Sequence, residues 1–250
     1  MTTFETPNDV DLIDPALADL KQTFRSGKTK SAAWRKAQLQ AFIDGINAME
    51  QEICDAVYKD LGRDRFTTKI AECQLSISSA QHDLANVDNW MKPINEPVEL
   101  SLAPARCEVN YEPLGVVAIY GSWNYPFTVV CKPLTQAIAA GNCCIIKPSE
   151  MAPYSSAIMK KLVQRFMDKD CFRVLEGGIP VAVKLNKSKL DMICFTGSTF
   201  VGKIIAETAA KNLTPCLLEL GGKCPAVIDQ SANIDFTSSK IITSRMQNSG

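Results

Sequence analysis

From residue 113 onward one pattern repeats: a short apolar run, a polar turn, then a helical stretch. No other feature of the sequence restricts the fold as much. The runs predict strands over 115–120, 143–147, 172–175, 191–196, 216–220 and 225–229. Helices are predicted over 127–140 and 153–167, after Pro180, over 199–210, and over 236–247 ahead of Asn248-Ser249-Gly250. Strand–helix alternation of this kind predicts an α/β fold with a mostly parallel, doubly wound sheet covered by helices on both faces.

The part before residue 113 reads as helical. Residues 15–25 suit a short helix, and Ser31 is placed to cap a longer one. In that longer helix Leu39, Phe42, Ile43, Ile46, Met49, Ile53, Val57 and Leu61 recur every three or four residues, with Gly62 at the expected C-cap. A third helix carries Ile70, Cys73, Ile77, Leu84, Val87 and Met91 on one face and ends at Pro93. At residue 98 the period becomes two. Val98, Leu100 and Leu102 alternate with Glu99 and Ser101, Pro104-Ala105 turns the chain, and Cys107, Val109 and Tyr111 alternate again, which predicts a hairpin. Its apolar face suits either the chain's own core or another subunit.

Composition narrows the function. Lys plus Arg and Asp plus Glu are equal at 27 each, so there is no overall field to gather nucleic acid, which is not an expected partner. The first twenty residues hold Glu5, Asp9, Asp11, Asp14 and Asp19 without a Lys or Arg, unlike a secretory signal or transit peptide, so the cytosol is the expected location. No expected membrane segment arises either, because Gly121, Asn124, Pro126 and Lys132 interrupt the most apolar stretch. The ten cysteines contain no C-x-x-C pair, which argues against zinc sites and redox motifs, and no metal is expected. Many lie inside apolar runs, such as Cys143-Cys144-Ile145-Ile146, where a reduced thiol behaves as a small hydrophobe. With His82 alone in a helical segment, a carboxylate is the better candidate base.

Four predicted strand ends carry polar groups suited to chemistry. In Gly121-Ser122-Trp123-Asn124-Tyr125-Pro126-Phe127, the Asn124 amide can donate to a developing oxyanion or, more blandly, cap a helix. Lys147-Pro148-Ser149-Glu150 sets a cation and an anion together; a carboxylate there accepts from ribose hydroxyls and repels a 2′-phosphate, while the plain alternative is an exposed ion pair. In Thr196-Gly197-Ser198-Thr199-Phe200-Val201-Gly202, a strand turns through Gly197 into a helix whose free N–H groups, with the Ser198 hydroxyl, suit a pyrophosphate or simply a well-capped helix. Glu219, in Leu218-Glu219-Leu220-Gly221-Gly222-Lys223, is a carboxylate within an apolar strand: it either faces water by alternation or lies in a cleft with a raised pKa.

Together with Glu112-Pro113-Leu114-Gly115-Val116-Val117 and Phe195-Thr196-Gly197-Ser198-Thr199, these segments in this order resemble the aldehyde dehydrogenase superfamily, and its class 3 branch most closely. The resemblance implies a Rossmann-type cofactor domain over 1–91 and 112–220, an oligomerisation hairpin in 92–111, and the beginning of a catalytic domain in 221–250. It implies NAD or NADP as cofactor, an aldehyde as substrate and a homodimer as assembly. By the same resemblance Asn124 is the oxyanion donor and Glu219 the general base, with Trp123, Lys147, Glu150, Gly197 and Ser198 toward the cofactor. The family's chemistry has a cysteine thiolate attack an aldehyde; hydride then leaves to the nicotinamide, and water activated by the glutamate releases the acid. That cysteine follows an Asn-Ser-Gly segment by a few residues, and none of the ten cysteines here stands in such a position. Cys224 occupies what resembles a packing site for a small residue. The expectation is therefore the N-terminal portion of an aldehyde-oxidising enzyme; the alternative is a truncated, non-catalytic nucleotide-binding or structural subunit of a larger complex.

Overall fold

A computed structural model describes residues 7–246. The N-terminal layer consists of α1 (Ile13–Arg25), α2 (Ala32–Ala48), α3 (Glu50–Leu61), α4 (Arg65–Thr68), a π-helical turn over Lys69–Gln74, and α5 (Leu75–Trp90). Ser31 caps α2 by accepting from the Trp34 N–H, and Gly62 closes α3 in the left-handed conformation at φ 66°. The long second helix of the sequence reading is two helices. Met49, fully buried, leaves helical geometry, so that α2 packs against α5 and against the later helices α6 (Thr128–Ala140) and α7 (Pro153–Phe166), while α3 packs against α7. The third is also interrupted: the π turn shifts the helical register, and Ile70, expected on the buried face, is exposed.

The hairpin exists with a different first strand. Strand β1 (Ile94–Glu96) pairs antiparallel with β2 (Cys107–Val109). Pro97 cannot donate to the ladder, and the alternating stretch after it contains the 3-10 turn Leu100–Leu102 instead of a strand. Both strands are exposed throughout, so the chain's own core does not use their apolar side chains.

The main sheet runs β3 (Val116–Tyr120), β4 (Cys143–Lys147), β5 (Phe172–Val174), β6 (Met192–Gly197) and β7 (Cys216–Leu220), with spatial order β5-β4-β3-β6-β7 and every pair parallel. Between them lie α6 (Thr128–Ala140), α7 (Pro153–Phe166), α8 (Ile179–Lys187) and α9 (Thr199–Ala210). Strands β3 and β4 are buried at every position, as continuous apolar runs require when helices cover both faces.

Register sorts the side chains. Tyr120, Phe195 and Leu218 are partners across β3, β6 and β7 on the face that α9 covers, and Leu220 on the same face lies close to Gly202 of α9. Thr196 and Glu219, partners one residue further on, take the opposite face, which α6 covers near β3. No helix of the described residues is long and apolar enough to cross a membrane.

After β7 the sequence reading fails in one place. The expected strand over 225–229 is irregular and exposed: Cys224 adopts φ 46°, Pro225 has no N–H to pair, and among the described residues this segment joins neither sheet. Helix α10 (Ile234–Met246) follows with no buried residue. The last residue of the expected helix and Asn248-Ser249-Gly250 lie outside the described residues.

Candidate active site

Strand β3 is the first strand of the five-stranded sheet in the chain yet sits between β4 and β6, so the connections wind outward from it in both directions. In such sheets the crevice at the carboxyl ends, where the order reverses, is where ligands bind. Every candidate residue of the sequence reading lies on this edge: Trp123 and Asn124 in the loop after β3, Lys147 at the end of β4 and Glu150 just beyond it, Gly197 at the end of β6 and Ser198 after it, and Glu219 one residue before the end of β7.

Asn124 does not cap α6. The N-cap is Phe127, which makes no side-chain cap, and the amides of Phe127 and Thr128 donate instead to the Glu72 carboxylate. The Ser122 hydroxyl donates to Asn124 Oδ1 at 2.6 Å, and with that oxygen engaged Nδ2 is the group left to donate. Gly121 is needed before this loop, because a Cβ there would lie 2.5 Å from Val130 Cγ2 of α6. Trp123, next to Asn124 in the loop after β3, is 39% exposed.

Lys147 is buried at the end of β4, and its Nζ donates to Glu150 at 2.8 Å and to the Pro148 carbonyl at 3.1 Å. This is no incidental surface pair. Burial pushes the Glu150 carboxyl up, but the Lys147 hydrogen bond and charge outweigh it and hold the group below the usual carboxylate range. One Glu150 oxygen takes the lysine and the ammonium retains a third proton, a donor–acceptor pair matched to vicinal hydroxyls.

Ser198 is the N-cap of α9, accepting from the Val201 N–H at 3.3 Å, so the plainer of its two readings is realised. Its proton remains available to donate, next to the unpaired amides of the first helical turn. Gly197 and Gly202 serve packing: a Cβ would meet the Phe195 ring at 2.5 Å and Leu220 Cδ2 at 2.7 Å, respectively. They let α9 close on the sheet and bring its N-terminus to the crevice.

Glu219 is exposed on the α6 side of β7, opposite Thr196. Leu220, on the other face of the strand, is exposed as well, so the exposure of Glu219 is not a matter of strand alternation. Leu217, two residues earlier on the same face, is 47% exposed, so this part of the face is uncovered in the chain.

None of the cysteines is poised as a nucleophile at this edge. Seven of the ten are buried, and burial pushes Cys73 up to about 12 and Cys194 up to about 11, with Cys131 and Cys144 also raised. Cys224 is exposed rather than packed.

Two residues of this region escaped the sequence reading. Arg63 and Glu72 form a buried pair at 2.6 Å beneath the Asn124 loop. Burial pushes the Glu72 carboxyl up against the pull of the Thr128 amide and the Arg63 guanidinium. The signal was present in the sequence, since Glu72 stands next to Cys73 within the apolar stripe of the third helix.

Known proteins of similar sequence and fold belong to one family. The profile described as "Aldehyde dehydrogenase family" matches residues 6–250. Aldehyde dehydrogenase family 3 member I1, chloroplastic, of Arabidopsis thaliana is 40% identical over 227 residues, covering 91% of this chain and 41% of that protein. The dimeric NADP-preferring aldehyde dehydrogenase of the dog, Canis lupus familiaris, is 37% identical over 232 residues, covering 92% and 51%. The substrate-bound AldH of Staphylococcus aureus superposes with a TM-score of 0.91 at 37% identity, covering 95% of this chain and 52% of that one. The chain thus spans about half the length of the relatives it matches. A family match over nearly the whole sequence means that the chain belongs to the aldehyde dehydrogenase family.

Proposed function

We propose that this chain supplies the cofactor crevice and two of the catalytic groups for NAD(P)-dependent oxidation of an aldehyde to a carboxylic acid. The observation that carries the reading is the convergence of Asn124, the Lys147–Glu150 pair, the α9 N-terminus and Glu219 on one edge of the parallel sheet. The donor set fits a dinucleotide. Lys147 and Glu150 would hold the adenosine ribose, Ser198 and the first amides of α9 the pyrophosphate, and Trp123 would wall the crevice. When bound, the nicotinamide supplies the acceptor for hydride.

The chain's own residues do the rest. Asn124 Nδ2 donates to the aldehyde oxygen as it gains negative charge, and Glu219 accepts a proton from the water that releases the acid. The attacking thiolate comes from none of the buried cysteines. Glu150 favours NAD through its charge, while the name of the dog relative favours NADP.

We also propose the division into a cofactor domain (1–91 and 112–220), a hairpin region (92–111) and the start of a catalytic domain (221–250). The separate two-stranded sheet and the lack of any buried residue among the described part of 221–250 support it. A homodimer through the exposed β1–β2 hairpin is supported by Leu100 and Leu102, which are 90% and 60% exposed near it, and by the dog relative's printed description as dimeric.

The test is aldehyde-dependent formation of reduced nicotinamide by the protein purified from its native source. Formation that saturates with aldehyde supports the reading. Tight NAD(P) binding with no turnover of any aldehyde contradicts it and favours a non-catalytic subunit.

A further inference from the structure

Asn124 stands on a loop that is held from outside by two residues the proposed chemistry does not use. Arg63 follows the C-cap of α3, and Glu72 lies in the π-helical turn between α4 and α5. The Glu72 carboxylate, 0% exposed, receives Arg63 Nη1 on one oxygen. Its other oxygen receives the amides of Phe127 at 3.2 Å and Thr128 at 2.8 Å. Those amides begin α6 and have no partner within the helix. Arg63 Nη2 donates to the Asn124 carbonyl, and the guanidinium lies 4.8 Å from the centre of the Tyr125 ring. Thr128 Oγ1 returns the contact by donating to the Ala71 carbonyl.

A buried ion pair adds little stability over apolar packing of the same volume, yet losing one partner strands a charge. What this pair does well is fix geometry. The guanidinium fork spans a carboxylate and a carbonyl at once, a task a lysine cannot perform. The two adjacent buried residues Glu72 and Cys73 lie in a π turn, a local departure from α-geometry that often marks functional sites.

We propose that Arg63 and Glu72 are positioning residues, which clamp residues 124–128 between the π turn and α6 so that the Asn124 amide is presented to the reacting oxygen. The catalytic consequence rests on Asn124 as the oxyanion donor; the clamp does not.

The test combines hydrogen exchange, read by mass spectrometry, with kinetics on the protein that carries this chain. In Arg63→Lys and Glu72→Gln, exchange at 124–128 should rise about tenfold or more, while β3, β4 and α9 stay as protected as before. A general loss of stability would raise exchange in all of them. The kcat for aldehyde oxidation should fall about tenfold to a hundredfold, with the NAD(P) dissociation constant changed by less than about twofold. Neither substitution should lower kcat further in an Asn124→Ala background.

Folded variants with unchanged exchange at 124–128 would overturn the clamp. A loosened loop with full kcat, where Asn124→Ala lowers kcat, would overturn its catalytic role. If Asn124→Ala itself leaves kcat intact, the oxyanion reading fails and exchange alone decides whether the clamp stands. Should Glu72→Gln fail to fold, Arg63→Lys keeps the cation beside Glu72 and carries the test.

Discussion

Lys147 Nζ lies 2.8 Å from a Glu150 carboxylate oxygen at the carboxyl end of β4, with the lysine side chain 5% exposed and the glutamate 37%. The buried cation keeps its neighbour ionised, and the carboxylate keeps one oxygen at the open edge of the sheet. A 2′-phosphate brought to that oxygen meets like charge.

Replacing Glu150 with Gln removes that repulsion while keeping the shape. The ratio of NADP to NAD affinity should rise about tenfold, or ~1.4 kcal/mol. Because Lys147 holds the carboxyl below its ordinary range, Glu150 itself should add no pH dependence to the native ratio between about 8 and about 5; what change there is comes from the 2′-phosphate, whose second pKa is about 6. Calorimetric titration of both cofactors checks this, and an unchanged ratio in the variant would place the 2′-position away from Glu150.

Asp168 links the N-terminal helices to the sheet. It accepts from Lys28, from the Trp34 indole at 3.2 Å and from the Asp170 amide at 3.0 Å. Burial raises its carboxyl, but Lys28 and the other donors outweigh that and hold it low. A carboxylate whose folded pKa is depressed stabilises above its unfolded value, and the contribution is lost as pH falls through the folded one. Asp168→Asn should therefore cost about 1–2 kcal/mol at pH 7, with the difference fading below about pH 4. Urea unfolding of both proteins across that range decides it; a gap that persists in acid would assign the loss to packing.

Gly115 precedes β3 at φ 141°, and a Cβ there would lie 2.2 Å from Asp191 Oδ2. That same oxygen accepts from the Val116 amide at 2.8 Å. Gly115→Ala combines backbone strain with displacement of this contact, so the expected loss is about 2–4 kcal/mol. Thermal unfolding measures it, and a near-neutral substitution would show that Asp191 can move aside freely.

The sheet was legible because its strands carry their own signal. Cys143–Lys147 and Cys216–Leu220 stand where their apolar runs predicted, and helix Thr199–Ala210 begins at its Ser198 cap. The breaks were harder to read. Met49 looks like one more member of an apolar stripe, and nothing local marks it as the place where α2 ends. The π turn at Lys69–Gln74 has no sequence signature comparable to a cap, so the outward turn of Ile70 was hidden. Pro97 and Pro225 did carry a warning, since neither can donate to a ladder, but the alternation around them outweighed it.

The strand-end positions of the candidate residues were legible where a strand ends in glycine or a charge and a helix starts within a few residues. Arg63 and Glu72 were not, because they reach the Asn124 loop from the α3–α4 connection and the π turn, more than fifty residues earlier in the chain. Such long-range pairing leaves only a charge in an apolar stripe as its trace. Glu219 was half legible: its strand was right, but burial depends on what packs over the α6 side of β7, and among the described residues nothing does.

The most direct measurement follows single turnovers of aldehyde oxidation in the native protein, Asn124→Ala and Glu219→Gln, with NAD(P) saturating. We expect Asn124→Ala to slow formation of reduced nicotinamide about 10²–10³-fold. Glu219→Gln should preserve that first turnover and slow the later ones, because only release of the acid needs its proton transfer. First-turnover rates unaffected by Asn124→Ala, or abolished equally by both substitutions, would contradict this division of roles at the edge of the sheet.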